Sequence, residues 1–295
     1  MKIETLANLI GGELLNRPYI SEVVHFTDEI EDVNRGSCFF AFKISEIPEA
    51  IKRGAYAIIV RDYVDVLDKE IAWIKVDDFK NAVFNIFKYE NLKHDIYLVD
   101  KITLMLIKAM SNDKRVVVLE NIKDFFKAIN LREKFIFTDD KEFERIFANI
   151  KKLNSKNIML TQIGLFKSIY KNQEINLPFV YKDSFSKVIG FFEDKNIKYT
   201  LEFELKRFKP IFIDKLFREV GFGESSKVLI SGLENDEVFF DELNFIVENT
   251  KHARTIFIDK NRKDFLKKDF NFGVLVGVDF KPKEINEKGL FDDKN

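Results

Sequence analysis

The chain has 295 residues, 46% hydrophobic and 33% charged, the balance of a soluble globular protein with room for two domains or three small ones. Its 48 basic and 49 acidic side chains are well mixed, which argues against a dedicated nucleic-acid binder. Lone Cys38 allows no intramolecular disulfide, no apolar run reaches the roughly 18 residues of a membrane span, and acidic residues interrupt the N-terminal segment, so a cytoplasmic protein with no nucleic-acid or membrane partner is expected.

In chain order, residues 2–10 read as an amphipathic helix that Gly11-Gly12 ends with a left-handed cap. A strand follows at 37–42, entered through the turn Asn34-Arg35-Gly36. "IPEAIKRG" (47–54) is a short helix with Pro48 in its first turn and Gly54 at its end. Strands at 55–60 and 72–76 lead to a helix at 77–89, which opens on two capping aspartates. Beyond the polar connector "KYENLKHD" (88–95), strands at 96–99, 115–119, 134–138 and 157–160 alternate with helices at 102–110, 121–129 and 141–153. That rhythm predicts a parallel sheet with helices on its faces. Residues 163–195 carry no clear pattern, and 198–205 alternate like an edge strand. The last stretch reads as helix 211–220, strand 227–231, helix 237–249, and strands 255–259 and 273–278. The 32 phenylalanines are spread along the whole chain, so they read as core filler and not as a binding stripe.

The first 90 residues resemble the N-terminal domain of the Mur ligases, closest to the MurF and MurE branches. The likeness is an ordered series: "LANLIGGELL", then "DVNRGSCFFAFK", then "EAIKRGAYAIIV", then "AWIKVDDFKNAVFNIFKY". No single piece is specific; their order and spacing carry the resemblance. It implies a small Mur-ligase-like α/β domain at 1–90. One or two further α/β units with mainly parallel strands would follow, at 91–195 and 196–285, then a polar tail at 286–295. It further implies an ancestral activity in which ATP drives the joining of amino acids or dipeptides to a UDP-muramoyl precursor of the cell wall.

The departures from that pattern bear on function. By register from Gly36, the family's Asp-Ser/Thr-Arg triplet falls on Glu29-Ile30-Glu31, which places an acid where a diphosphate would meet an Arg fork. The Asp-Gly-His loop is missing, since Lys43 runs directly into "ISEIPEA". Where the family has strand, Gly-x-x-Gly-Lys-Thr loop and helix, this chain has "IYLVDKITLMLIKAM" (96–110), with no glycine to let backbone amides wrap a phosphate. Lys101 and Thr103 stand as remnants of the family's Lys and Thr, and the resemblance implies a phosphate loop lost. Arg35 and Lys43 are the nearest basic candidates for any surviving diphosphate contact.

Other candidates read as structural. His25, His94 and His252 are scattered without metal-site spacing. Cys38 lies in an apolar strand and reads as a packing residue. Asp139 and Asp140 follow a strand and read as helix-capping residues. "GFGESSK" (221–227) precedes a strand, so it fits a turn better than an anion site.

The expectation is therefore a non-catalytic, Mur-ligase-like binding or regulatory protein with no catalytic residue, no metal and no cofactor. Its weak ligand-binding candidates are Arg35, Lys43, Lys101 and Thr103, and a cell-wall synthesis enzyme is its expected partner. Two alternatives stay open: an active ATP-dependent amide ligase with a rearranged site, and an interaction scaffold with no small ligand.

Overall fold

The computed structural model describes residues 1–259, 269–278 and 280. It is a mixed α/β protein with mostly parallel sheets, in two compact units. The first unit is residues 1–104 with 112–153; the second is residues 105–111 with the described residues from 154 onward. Among the described residues, no helix is long and apolar enough to cross a membrane.

The first unit opens with α1 (Ile3–Ile10), which buries Ile3, Leu6, Ala7 and Ile10 at helical spacing. Gly11 ends it at φ 63°, a conformation glycine adopts without strain. The next strands are β1 (Glu13–Leu14), β2 (His25–Thr27), β3 (Ser37–Phe40), β4 (Ala57–Val60) and β5 (Ala72–Lys75), with α2 (Ile47–Lys52) between β3 and β4. They form one sheet in the order β1-β5-β4-β3-β2, in which only β1 is antiparallel to its neighbour. Side chains alternate across this sheet as a two-residue period requires. Cys38, Phe40, Ile59 and Ile74 share a core with α1 and with α3 (Phe79–Asn91), whereas Phe39, Ile58 and Trp73 pack with Ile47 and Ala50 of α2.

A second sheet follows within the same unit. Its strands are β6 (Ile96–Leu98), β7 (Val116–Val118), β8 (Phe135–Thr138) and β9 (Ile150–Lys151), all parallel, in the order β7-β8-β6-β9. Its helices are α5 (Ile122–Asn130) and α6 (Phe143–Ile146); α4 (Lys101–Met110) starts here, and its residues from 105 on are counted in the second unit. The two sheets share one continuous core, because α5 and α6 pack Phe126, Ile129 and Phe143 into the cluster that also holds Phe40, Ile86 and Phe87. The Phe87 ring centroid lies 5.0 Å from that of Phe125 and 6.2 Å from that of Phe143. Asn130 also closes the outer edge of β2: it accepts from the Phe26 amide at 3.0 Å and donates to the Phe26 carbonyl at 2.7 Å. The two compact units divide near residues 104, 111 and 153, while the boundaries expected from the sequence lie at 90 and 195. Residue 90 is the exposed next-to-last residue of α3.

The second unit contains a three-stranded antiparallel meander, β10 (Leu160–Gln162), β11 (Ser168–Tyr170) and β12 (Gln173–Ile175). Lys171 and Asn172 make its tight turn with positive φ angles of 50° and 62°. After α7 (Lys182–Asp194) comes a four-stranded sheet in the order β13-β14-β16-β15: β13 (Lys209–Ile213), β14 (Lys227–Leu233), β15 (Thr255–Ile258) and β16 (Phe272–Val276). β13 is antiparallel and the other pairs are parallel, with α8 (Phe239–Asn249) between β14 and β15.

Three expectations are corrected here. Residues 211–220, read as a helix, begin as strand β13, because Ile211, Phe212 and Ile213 pair with Leu229, Val228 and Lys227. Residues 198–205, read as a strand, form only an isolated bridge between Tyr199 and Ser111. The helix expected over 141–153 is cut to the single turn of α6, with β9 in its second half. The expected tail at 286–295 lies outside the described residues.

Candidate functional site

At the β6–α4 junction only Val99 and Asp100 separate strand from helix. Val99 continues the strand pairing, its amide donating to the Thr138 carbonyl at 3.0 Å. Asp100 then acts as an N-terminal cap. One carboxylate oxygen accepts from the Thr103 amide at 2.8 Å and the other from the Thr103 hydroxyl at 2.7 Å. A helix N-terminus after a parallel strand is a ready anion site, with free amides and a favourable dipole. Here the protein's own carboxylate sits in that place, and it uses both the amide and the hydroxyl of the fully buried Thr103.

Helices α3 and α5 also begin with side-chain caps, whereas α1, α2 and α6 have none. Asp78 caps α3 by accepting from the Lys80 and Asn81 amides at 3.1 and 3.3 Å. Asn121 and Asp124 form a reciprocal capping box on α5. Asp140 accepts from the Glu142 amide at 2.9 Å ahead of α6.

The four residues singled out as binding candidates do not converge on one point. Arg35 lies at the N-terminal end of β3, its Nε donating to the Tyr56 hydroxyl at 2.9 Å. Lys43 lies past the opposite end of β3 and pairs with Glu46 at 2.9 Å. Lys101 and Thr103 share the first turn of α4. Glu29 is ion-paired to Lys123 of α5, and Glu31 lies in the short turn Ile30–Asp32. His25 sits on β2 with Nε2 buried and no hydrogen-bond partner, and burial lowers its pKa against the opposing charge of Asp32. Cys38 is fully buried, and that burial pushes its thiol pKa well up, out of the nucleophile range.

A cleft of about 520 Å³ opens past the carboxyl end of β4, between Ile44, Ile47 and Pro48 on one side and Tyr63, Val64, Asp65 and Leu67 on the other, with Trp73 beneath. Strand carboxyl ends are where open parallel sheets receive ligands. Tyr63 is held in place from two directions. Its hydroxyl donates to Glu13 Oε2 at 2.7 Å, and Lys75 Nζ sits 5.0 Å from its ring centroid. Trp73 Nε1 donates to the Asp68 carbonyl at 2.8 Å, which fixes the loop from below.

No family model matches the chain, and no curated protein does. Among solved structures it is similar to MurF from Acinetobacter baumannii, at 9% identity over 88% of this chain and 78% of that one, with a TM-score of 0.48. It is similar to UDP-N-acetylmuramoylalanyl-D-glutamyl-2,6-diaminopimelate--D-alanyl-D-alanyl ligase from the same organism, at 9% identity over 94% and 86%, with a TM-score of 0.46. A third neighbour is MurF ligase from Thermotoga maritima in complex with ADP, at 9% identity over 85% and 93%, with a TM-score of 0.39.

Sequence reasoning missed a concentrated polar site among the described residues of the second unit. Arg207 is nearly fully buried. Its Nη1 and Nη2 donate to Asp236 at 2.6 and 2.8 Å, and its Nε and Nη2 to Glu242 at 2.5 and 2.7 Å. The Tyr181 hydroxyl donates to the same Glu242 carboxylate. Burial works against the Arg207 charge, but the bonds to Glu242 and Asp236 outweigh it and hold the pKa above its ordinary value. The adjoining Phe208 has φ 56°, a strained angle for a buried ring, and beside it Gly232 passes so close to the Lys206 carbonyl that a Cβ would stand 2.2 Å from it. These partners are 29 and 35 residues apart in sequence, and no local pattern announces them. The cleft in the first unit was missed because "RDYVDVLDKE" (61–70) shows neither helical nor strand period.

Proposed function

We propose that this chain is a non-catalytic binding protein built on a Mur-ligase-like plan, acting in cell-wall precursor synthesis without carrying out ATP-driven ligation. The cell-wall setting rests on the ordered series of segments in the first 90 residues. A synthesis enzyme of that route is the partner this reading expects.

The loss of ligation rests on one observation, the capping of α4 by Asp100. A triphosphate docking at this junction would meet a fixed carboxylate and no glycine loop. Two like charges about 4 Å apart repel by roughly 4 kcal/mol at an effective dielectric of about 20. That is about a thousandfold in affinity, which turns a micromolar site into a millimolar one. The residues at this junction do not fit the phosphates of ATP.

The test is a melting curve with millimolar Mg-ATP. A ligand at about 100 times its dissociation constant stabilises by about 2.7 kcal/mol, which raises the melting temperature on the order of 5 °C. The expected result is no such rise. A reproducible increase of that size overturns the non-catalytic reading.

A further inference from the structure

The cleft past β4 differs in chemistry from a diphosphate site. Seven of its eight lining residues, Ile44, Ile47, Pro48, Tyr63, Val64, Leu67 and Trp73, are apolar or aromatic, and Asp65 is the only charged one. Its volume of about 520 Å³ lies within the range of about 300–1,000 Å³ typical of small-molecule sites. Ile44, Tyr63 and Leu67 are each more than half exposed around it, so apolar surface is left open at the rim.

The neighbouring charges are engaged elsewhere. Lys43 is paired with Glu46, and Lys75 lies near Asp77 and over the Tyr63 ring. Arg61 is stacked over Phe79 at 5.6 Å, and Glu13 accepts from Tyr63. Among the described residues Asp65 has no ion-pair partner. The loop carries Asp62, Asp65, Asp68 and Glu70 against Arg61 and Lys69, so its field is negative.

We infer that this cleft binds a small amphipathic cation, an organic ammonium whose aromatic or alkyl body lies against Ile44, Val64 and Leu67 and whose charge pairs with Asp65. The apolar walls remove the body from water, and the carboxylate decides the sign of the accepted charge. This deepens the binding reading above by naming a ligand class, and it is opposite in charge to a nucleotide.

The experiment is a calorimetric titration of the full chain with 2-phenylethylammonium and, separately, with the anion 3-phenylpropionate, at low salt. Trp73 is the sole tryptophan of the chain and lies beneath the cleft, so a parallel change in its emission locates the binding. The expected result is at least tenfold tighter binding of the cation than of the anion. Asp65→Asn is expected to abolish that preference with the melting temperature unchanged. Asp62→Asn, which alters the same loop outside the cleft lining, is expected to retain it. Equal affinities in the wild type, no saturable binding by 10 mM (on the order of the weakest small-ligand sites), or the same preference in Asp65→Asn would each overturn the inference. ATP binding would sink the non-catalytic reading and leave this result untouched, so the two failures are distinguishable.

Discussion

The two units handle buried polarity in opposite ways. In the first, the polar groups at the starts of α3, α4 and α5 are satisfied within a few residues, Asp100 on Thr103, Asp78 on Lys80 and Asn81, Asn121 with Asp124. The longer-range polar contacts of that unit, such as Asn130 on Phe26, are single hydrogen bonds or ion pairs and not a buried network. Its interior is apolar, in one cluster on each face of the first sheet. In the second, Arg207, Asp236, Glu242 and Tyr181 join distant segments into one buried ionic knot. Local capping costs little to lose and sets where helices begin. A buried ion pair is poor net stabilisation against an apolar replacement, yet breaking one partner leaves a stranded charge. The second unit should therefore fail at a single point where the first degrades gradually.

The largest expected effect tests that contrast. Arg207→Met strands Glu242, which is wholly buried, and should destabilise the second unit by about 3–5 kcal/mol. Arg53→Gln, which breaks a half-exposed pair with Glu49 in the first unit, should cost less than about 1 kcal/mol. Denaturant melts of both variants make the measurement, and similar losses would erase the distinction.

The shared core of the first unit can be tested at Phe126, which reaches from α5 to within 5.1 Å of the Phe40 ring. Phe126→Ala should cost about 3–5 kcal/mol. Limited proteolysis should leave a stable fragment ending near residue 153, not near residue 90. An enduring fragment of residues 1–90 would show that the first sheet stands without α5.

A smaller loss, about 1 kcal/mol, is expected for Asp100→Ala, since the cap is lost but the helix remains. The smallest concerns pH. Burial lowers the His25 pKa from 6.5 in the folded chain. Between that lowered value and about 6.5 the unfolded chain binds more protons at this site, so stability rises with pH across the window and falls as pH drops through it. His25→Gln should flatten the slope of melting temperature just below about pH 6.5; an unchanged slope would mean that other groups set it.

What the sequence revealed follows the same divide. Helix α1 was expected at 2–10 and runs Ile3–Ile10; α3 was expected at 77–89 and runs Phe79–Asn91, with Asp78 as the cap. Those signals are local: apolar period, a capping aspartate, a terminal glycine. Helix α7 also carried one, Phe185, Val188, Ile189 and Phe192 at helical spacing, and it went unread. Residues 211–220 misled because Ile211, Phe212, Leu216 and Phe217 mimic a helical face. Pairing with β14 overrides that pattern, and Asp214 turns the chain by accepting from the Leu216 and Arg218 amides. The Arg207 knot and the cleft around Asp65 depend on long-range placement, which local periodicity does not encode. The absence of glycine from residues 99–103 was legible; that Asp100 caps α4 through the Thr103 amide and hydroxyl was not.

That last point is tested most directly by titrating inorganic pyrophosphate, with magnesium, into the wild-type chain and into Asp100→Asn in a calorimeter. The account expects no saturable heat from the wild type below about 1 mM, and weak binding strengthened by the loss of the Asp100 charge in the variant. Micromolar binding by the wild type, or binding weakened by Asp100→Asn, would contradict it.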